Sequence, residues 1–376
     1  MSNRFDVRRW LPSVLAPITA VLVAAGICAL ILLFSGRDPG AAFNAMIDRA
    51  FIGPASPSTM TEIVNRATSY YLSAVAVAIG FRMALFNIGV EGQYRLATLL
   101  AATVGASSVV AWLPGPLRIV LVILTGMVVG ALWAGIAAVL KVYRGVSEVI
   151  STIMLNFLAG SIFAYLLTTD RLGVMAPGGQ FITSATLPPD TRMPNFVHLT
   201  GTSSRIVGFT VIAAAVGVGY WFLLGRTRFG FDLRATGMNP FAAVASGVDA
   251  KKMIIATMLL SGGVAGLVGL PDLMGRDYVV HNSLGGLGFT GIAIALLGRN
   301  HPVGIALAAL LWAFLDQSRF ALDLLSIPKE TIVIMQGVTV LVVVVAYEVA
   351  SRISRRQQQR SVGRATGEIQ PAGGAA

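Results

Sequence analysis

Apolar residues run almost uninterrupted through ten stretches of the chain, at 14–34, 67–81, 96–113, 119–140, 149–169, 206–225, 253–270, 287–298, 303–315 and 331–347, with the charged residues gathered between them. A helix needs about 20 residues to cross the hydrocarbon of a bilayer, and most of these runs reach that length with their flanks. The pattern predicts an all-α polytopic membrane protein of about ten transmembrane helices, some of them short or broken. The run at 287–298 is too short for a comfortable crossing. It is expected as a half-helix, a re-entrant segment, or a helix shielded by protein.

With ten crossings both termini share a side, and placing them in the cytoplasm can be tested by the positive-inside rule. That topology puts 18 of the 28 Lys and Arg residues inside and 10 outside, while the acidic residues split 7 inside and 10 outside. The whole positive excess falls on the inner face, so cytoplasmic N and C termini are predicted. Residues 1–350 form one transmembrane domain, and the Gln- and Gly-containing stretch 351–376 reads as a disordered cytoplasmic tail. The first apolar run exceeds a signal-peptide core and no clear cleavage site follows, so it is expected to stay as an anchor. The outer loop 170–205, rich in Pro, Gly and Thr, is expected as an irregular extracytoplasmic cap.

Composition narrows the classes. Hydrophobic residues make up 55% of the 376 and charged residues only 12%, with a mean hydropathy of +0.76, which excludes a water-soluble domain. The 41 glycines and 13 methionines suit membrane helices that approach closely, because apolar contact drives little association inside lipid. A single Cys28 allows no disulfide framework, and His198, His281 and His301 lack metal-ligand spacing. The net charge of +11 is distributed as topology, so no nucleic-acid partner is implied. No zinc-protease, nucleophile-elbow or Walker A motif occurs, so no catalytic residue and no P-loop nucleotide site is expected in this chain.

Two stretches interrupt the apolar pattern. "FNIGVEGQYRLA" at 86–97 sets Asn87, Gly89, Glu91, Gly92 and Gln93 where the neighbouring sequence favours lipid. Freed backbone inside a membrane persists only where protein or water satisfies it, so this stretch reads either as a broken helix facing a cavity or as an ordinary loop with Glu91 solvated. "SLGGLGFTGIAIALLGRNHPVGIALAAL" at 283–310 repeats the theme with Phe289 and Thr290. Interrupted segments in both halves of a chain are the pattern of a path built from two repeats.

The inner loop 225–252 contains "GMNPFAAVASG", with Asn239 placed as an N-cap, Pro240 at the first helical position and Gly247 as a stop. A short cytoplasmic helix is predicted there, either a solvated linker or a docking element. In "KVYRGVSEVISTIMLNFLAG" at 141–160, Ser147 is expected to cap a helix with Glu148 in its first turn. Asn156 then lies two turns into the bilayer, as interhelical glue or as a pathway residue. Asp316, Arg319 and Asp323 sit at i, i+3 and i+7 on one helix face and are expected to neutralise each other.

Four of these stretches, "FNIGVEGQ" at 86–93, "GVSEVISTIMLNFLAG" at 145–160, "LRATGMNPFAAVASGV" at 233–248 and "GFTGIAIALLGRNHPVGIALAALL" at 288–311, together resemble the permease subunits of bacterial ATP-binding-cassette importers for nucleosides and simple sugars. The resemblance covers roughly residues 60–350 and leans to the nucleoside branch, because the sugar branch carries a different stretch where this chain has "FNIGVEGQ". It implies a bacterial inner-membrane protein that binds no cofactor of its own. The implied partners are a second, homologous permease, cytoplasmic subunits that use ATP and Mg, and an extracytoplasmic substrate-binding lipoprotein.

The resemblance also assigns roles. Residues 233–250 become the coupling loop for the ATPase, with Gly237, Asn239, Pro240, Ala242, Ala243 and Gly247 matching the motif and Phe241 standing where the family usually has an acidic residue. Phe86, Asn87, Glu91, Gln93, Asn156, Phe289 and Thr290 become the translocation path, the two phenylalanines offering ring faces to a nucleobase. A permease for ribose or another sugar is the nearest alternative. An ion-coupled secondary transporter would need a carboxylate buried in mid-span, and an intramembrane enzyme a cluster of His, Asp or Glu at one depth.

Overall fold

The computed structural model describes residues 7–367 except 177, 196, 199–204, 283–284 and 329. In chain order its helices are α1 (Val7–Phe34), α2 (Pro39–Ile47), α3 (Ser56–Phe81), α4 (Val90–Ala106), α5 (Gly115–Arg144), α6 (Glu148–Leu166) and α7 (Phe209–Arg226). There follow α8 (Arg228–Met238), α9 (Pro240–Ala245), α10 (Ala250–Ala265), α11 (Leu270–Gly275), α12 (Leu287–Leu297), α13 (Pro302–Asp323) and α14 (Glu330–Gly367). The chain divides into two compact units, residues 1–45 with 321–376, and residues 46–320.

Five helical segments are long and apolar enough to cross a membrane: α5, α6, α7, the continuous stretch Ala250–Gly275 and α13. Shorter apolar helices lie at Thr19–Phe34, Leu287–Leu297 and Glu330–Ala346. These account for eight of the ten expected runs. The other two fall in α3 and α4, whose polar content is too high for a lipid-facing span. α3 buries Thr59, Thr61, Asn65, Thr68, Ser69 and Ser73, and every residue from Leu72 to Gly80 is buried. It is the central post of the larger unit, packed by α7, α10 and α12. A helix enclosed by protein can carry side chains that lipid would refuse.

α5 and α10 approach each other backbone to backbone. Gly126 and Gly130 face Gly262 and Gly266, and a Cβ on Gly130 or Gly266 would overlap the backbone of the other helix. The small-residue approach expected from the glycine content is realised there.

In the smaller unit α1 packs on α14. It does so along the four-residue stripe Ala20, Ala24, Cys28 and Leu32, all buried. α14 continues to Gly367, so residues 351–367, expected as a disordered tail, are helical; residues 368–376 lie outside the described residues. The reason is local: "SRISRRQQQR" is polar but contains only helix-tolerant residues, with no Pro and no Gly before Gly363.

The loop 170–205, expected as irregular, carries two short antiparallel ladders. β1 (Gly173–Met175) pairs with β2 (Ile182–Ser184) and β3 (Val197–His198) with β4 (Arg205–Ile206). Backbone bonds from Ser184 to Val280, Leu187 to Tyr278 and Met193 to Met274 tie this cap to α11 and the segment after it.

Candidate functional site

The chain leaves α3 at Phe81 and does not loop outward. Ala84 takes a left-handed turn at φ 56°, Leu85 N–H returns to the Gly80 carbonyl at 3.0 Å, and residues 85–89 run back along the helix just completed. Asn87 fixes this course: its Nδ2 donates to Ser261 Oγ of α10 at 2.8 Å, and Ser261 Oγ donates to the Ala76 carbonyl of α3 at 2.7 Å. Asn87 and Gln93 also exchange both amide bonds, at 3.0 and 2.8 Å. Both side chains are 1% exposed.

Asn156 staples the same segment from α6. Its Oδ1 accepts from Gly92 N–H and its Nδ2 donates to the Ile88 carbonyl, each at 2.9 Å. Of the two roles open to it, interhelical glue is the one its bonds show. Glu91, Gly92 and Gln93 were expected to break a helix; they form the first turn of α4, and the break lies earlier, at 82–89. Gly92 is a packing glycine there, since a Cβ would stand 2.7 Å from that of Ala159.

Glu91 joins the two interrupted segments. Its Oε1 accepts from Gly286 N–H at 2.8 Å and its Oε2 from Gly288 N–H at 2.9 Å, while Tyr94 Oη donates to Oε1 at 3.2 Å. The carboxylate therefore caps the start of α12, where free N–H groups and the positive end of the helix favour an anion. Ser73 Oγ completes the joint by donating to the Leu287 carbonyl at 2.7 Å. Gly288 must lack a side chain, because a Cβ would press on the backbone of Glu91. The solvated-loop reading of Glu91 is thereby corrected: the residue is 6% exposed and, at the level of Ser73, lies about 12 Å of helix inside the end of α3.

The short apolar run expected as a half-helix is α12. Phe289 and Thr290 stand in its first turn beside the joint, with Phe289 52% exposed and Thr290 half-buried. Phe86 is 49% exposed and meets Phe81 edge-on at 5.1 Å between centroids, nearer the end of α3. The two phenylalanines are thus open but at different levels.

Arg95 lies one turn beyond Glu91 inside α4. Its guanidinium sits 5.1 Å from the ring centroid of Phe163 on α6. Arg95 is the residue that sequence reasoning missed; its spacing of i+4 from Glu91 was the available signal.

The loop 225–252 is two helices rather than one. α9 begins as expected, with Asn239 Oδ1 accepting from Ala242 N–H at 3.1 Å, and ends at Gly247 with φ 88°. α8 precedes it and rests on the break: a Cβ on Gly237 would stand 2.7 Å from Met83 Cα and 3.0 Å from the Arg82 carbonyl. Arg82 Nη2 donates to the Asn300 carbonyl at 2.8 Å and Tyr220 Oη to the same oxygen at 2.7 Å. The α8–α9 pair thus touches the break before α4, and the break is bonded to the turn after α12. Ala243 is buried, whereas Phe241 is 88% and Met238 84% exposed; Pro240, Ala242 and Gly247 are also exposed.

Elsewhere, Arg319 pairs with Asp316 at 3.1 Å as expected, and Tyr70 Oη also donates to Asp316. Ser147 makes no side-chain cap bond; Glu148 instead pairs with Lys141 Nζ at 2.6 Å. No cluster of three potential metal ligands occurs among the described residues.

A family model described as "Branched-chain amino acid transport system / permease component" matches residues 59–344. The chain belongs to this permease family. It is a multi-pass membrane transport component rather than an ATPase. The permease is 33% identical over 90% of its length to the guanosine ABC transporter permease protein NupP of Bacillus subtilis, covering 95% of that protein. It is 31% identical over 94% of its length to the glucose ABC transporter permease protein TsgB13 of Haloferax volcanii, covering 95% of it. It is 29% identical over 89% of its length to the nucleoside ABC transporter permease protein NupB of Lactococcus lactis, covering 91% of it. The two bacteria each hold a second matching permease, NupQ and NupC. No solved structure matches the chain.

Proposed function

We propose that this permease forms the translocation path of an ATP-binding-cassette importer for nucleosides in the bacterial inner membrane, with about ten crossings and both termini in the cytoplasm. It pairs with a second, paralogous permease. Separate subunits hydrolyse ATP with Mg, and an outer lipoprotein delivers the cargo. The cargo reading is carried by 33% identity over 90% of the chain to a protein named for guanosine. The matching pairs from two bacteria support a paralogous partner.

The geometry supports a coupling route through α8 and α9. Met238, Phe241 and Val244 project exposed apolar surface from α8 and α9, and such a patch on a polar loop marks a protein contact. Movement of an ATPase gripping it would be transmitted by Gly237 to Met83, along residues 83–89, and into the Glu91 joint with α12. Opening that joint would change access on the two sides of the membrane. Asn87, Gln93 and Asn156 serve this route as the scaffold that holds the break, while Phe86, Phe289 and Thr290 offer the open surface to the cargo.

A sugar is the second reading, favoured by the glucose permease at 31% identity. An ion-coupled carrier gains a buried mid-depth carboxylate in Glu91, but that carboxylate is occupied by two backbone N–H groups, and the family membership favours an external ATPase. Uptake of labelled guanosine and glucose by proteoliposomes holding the whole transporter, with and without ATP, tests all three. ATP-dependent guanosine uptake is expected. Glucose uptake alone supports the sugar reading, and uptake driven by an ion gradient without ATP overturns the proposal.

A further inference from the structure

Most polar side chains gathered at the break are spent on the protein itself. Asn87 and Gln93 bond each other, Asn156 holds two backbone groups, Ser73 and Ser261 donate to carbonyls, and Glu91 is saturated by Gly286, Gly288 and Tyr94. Arg95 differs. Its Nε is buried without a hydrogen-bond partner. The side chain is only half-buried, and no carboxylate among the described residues forms an ion pair with it.

Its depth makes this unusual. Arg95 stands beside Gly160, whose Cβ position is 3.9 Å from Arg95 Nη1, about 18 Å of helix from Glu148 at the start of α6. In the other direction α4 runs on to Ala106, about 16 Å further. Both of these helix ends lie beyond the length of the side chain, so in a membrane-spanning α4 and α6 the charge would not snorkel to headgroups. A cation held at such depth faces a cavity or a partner group. Phe163, fully buried, holds its ring centroid 5.1 Å from the guanidinium carbon, within the range of a cation–π contact. The guanidinium keeps its planar fork of donors, the shape by which arginine grips two adjacent acceptors.

We propose that Arg95 is the cargo-reading residue of this path: its free donor edge takes the adjacent carbonyl oxygen and ring nitrogen of a 6-oxopurine nucleoside, and discriminates against a 6-aminopurine. The pairing chemistry is that of arginine with O6 and N7 of guanine, where the amino group of adenine sets a donor against a donor. The proposal rests on the nucleoside reading above and names the cargo class within it.

The test uses the complete transporter in proteoliposomes, with guanosine, inosine and adenosine compared at equal occupancy of the receptor. R95Q is expected to lower guanosine and inosine uptake about tenfold while adenosine uptake holds, as the loss of a bidentate contact implies, and R95K to fall between. Co-purification of all subunits shows that the variants are assembled. An equal loss for all three nucleosides, or no loss for guanosine, overturns the assignment. So does a complex that disassembles in R95Q yet holds in R95K, which would mean that Arg95 pairs with a carboxylate of the partner permease. If the wild-type transporter carries none of the three, the nucleoside reading itself has failed.

Discussion

Glu91 and Gly288 are 197 residues apart in sequence, and the carboxylate of one accepts the backbone N–H of the other at 2.9 Å. The bond, with its twin to Gly286, makes a residue of α4 the cap of α12. Glu91→Ala leaves two N–H groups unpaired at a buried helix end, which costs about 1–3 kcal/mol for each. A lowered unfolding temperature and loss of uptake are expected. Glu91→Gln, which keeps the volume and one acceptor but sets its NH2 against the other N–H, should recover only part of the stability, and a thermal shift assay on the detergent-purified complex reads both. Equal stability of Glu91→Ala and wild type would show that the joint does not hold α12.

Gly288 and Gly285 provide a matched pair. A Cβ at Gly288 collides with Glu91, whereas at Gly285 the nearest contact is 3.8 Å away. Gly288→Ala should destabilise the permease by about 1–3 kcal/mol through overpacking, while Gly285→Ala leaves uptake and melting temperature near wild type. Comparable tolerance at both positions would contradict the close seating.

Gly237→Val tests the contact between α8 and the break. The added side chain would displace Met83, so uptake is expected to fall at least tenfold while ATP hydrolysis persists. Gly247→Leu reaches the same result by another cause: nothing stands within 4 Å of a Cβ there, but φ is +88°, a conformation that costs an L-residue about 1–2 kcal/mol. Receptor binding is expected to be intact in both. Full coupling in Gly237→Val would remove Met83 from the transmission route.

Phe241 is almost wholly exposed, so Phe241→Ala should leave the melting temperature of the permease alone unchanged. Its loss is expected in the assembly, as weaker co-purification of the ATPase subunit. An unaltered complex would place the docking contact elsewhere.

Gly130→Leu addresses the fold rather than the site. The α5 and α10 backbones meet at Gly130 and Gly266, and a leucine there would prise them apart. Loss of folded protein in size-exclusion chromatography is expected, against full recovery for an exposed neighbour such as Leu132→Ala.

The sequence by itself determined that the chain is a membrane protein, because long apolar runs have no other solvent. It determined the inner-loop helix as well, since Asn239, Pro240 and Gly247 act through bonds to their own neighbours in the chain. It located both interrupted segments, for glycines and charges stand out against an apolar background. Only the tertiary structure decided what they do. The polar content of α3 reads as poor for a span, yet protein on every side makes it the central post. Glu91 looked equally suited to solvent or cavity, and Asn156 to glue or pathway, because a polar side chain's role depends on which distant backbone it reaches. The contact of Arg95 with Phe163 is decided in the same way: hydropathy reports composition along the chain, whereas a side chain's neighbours depend on residues 83–89 folding back beside α3.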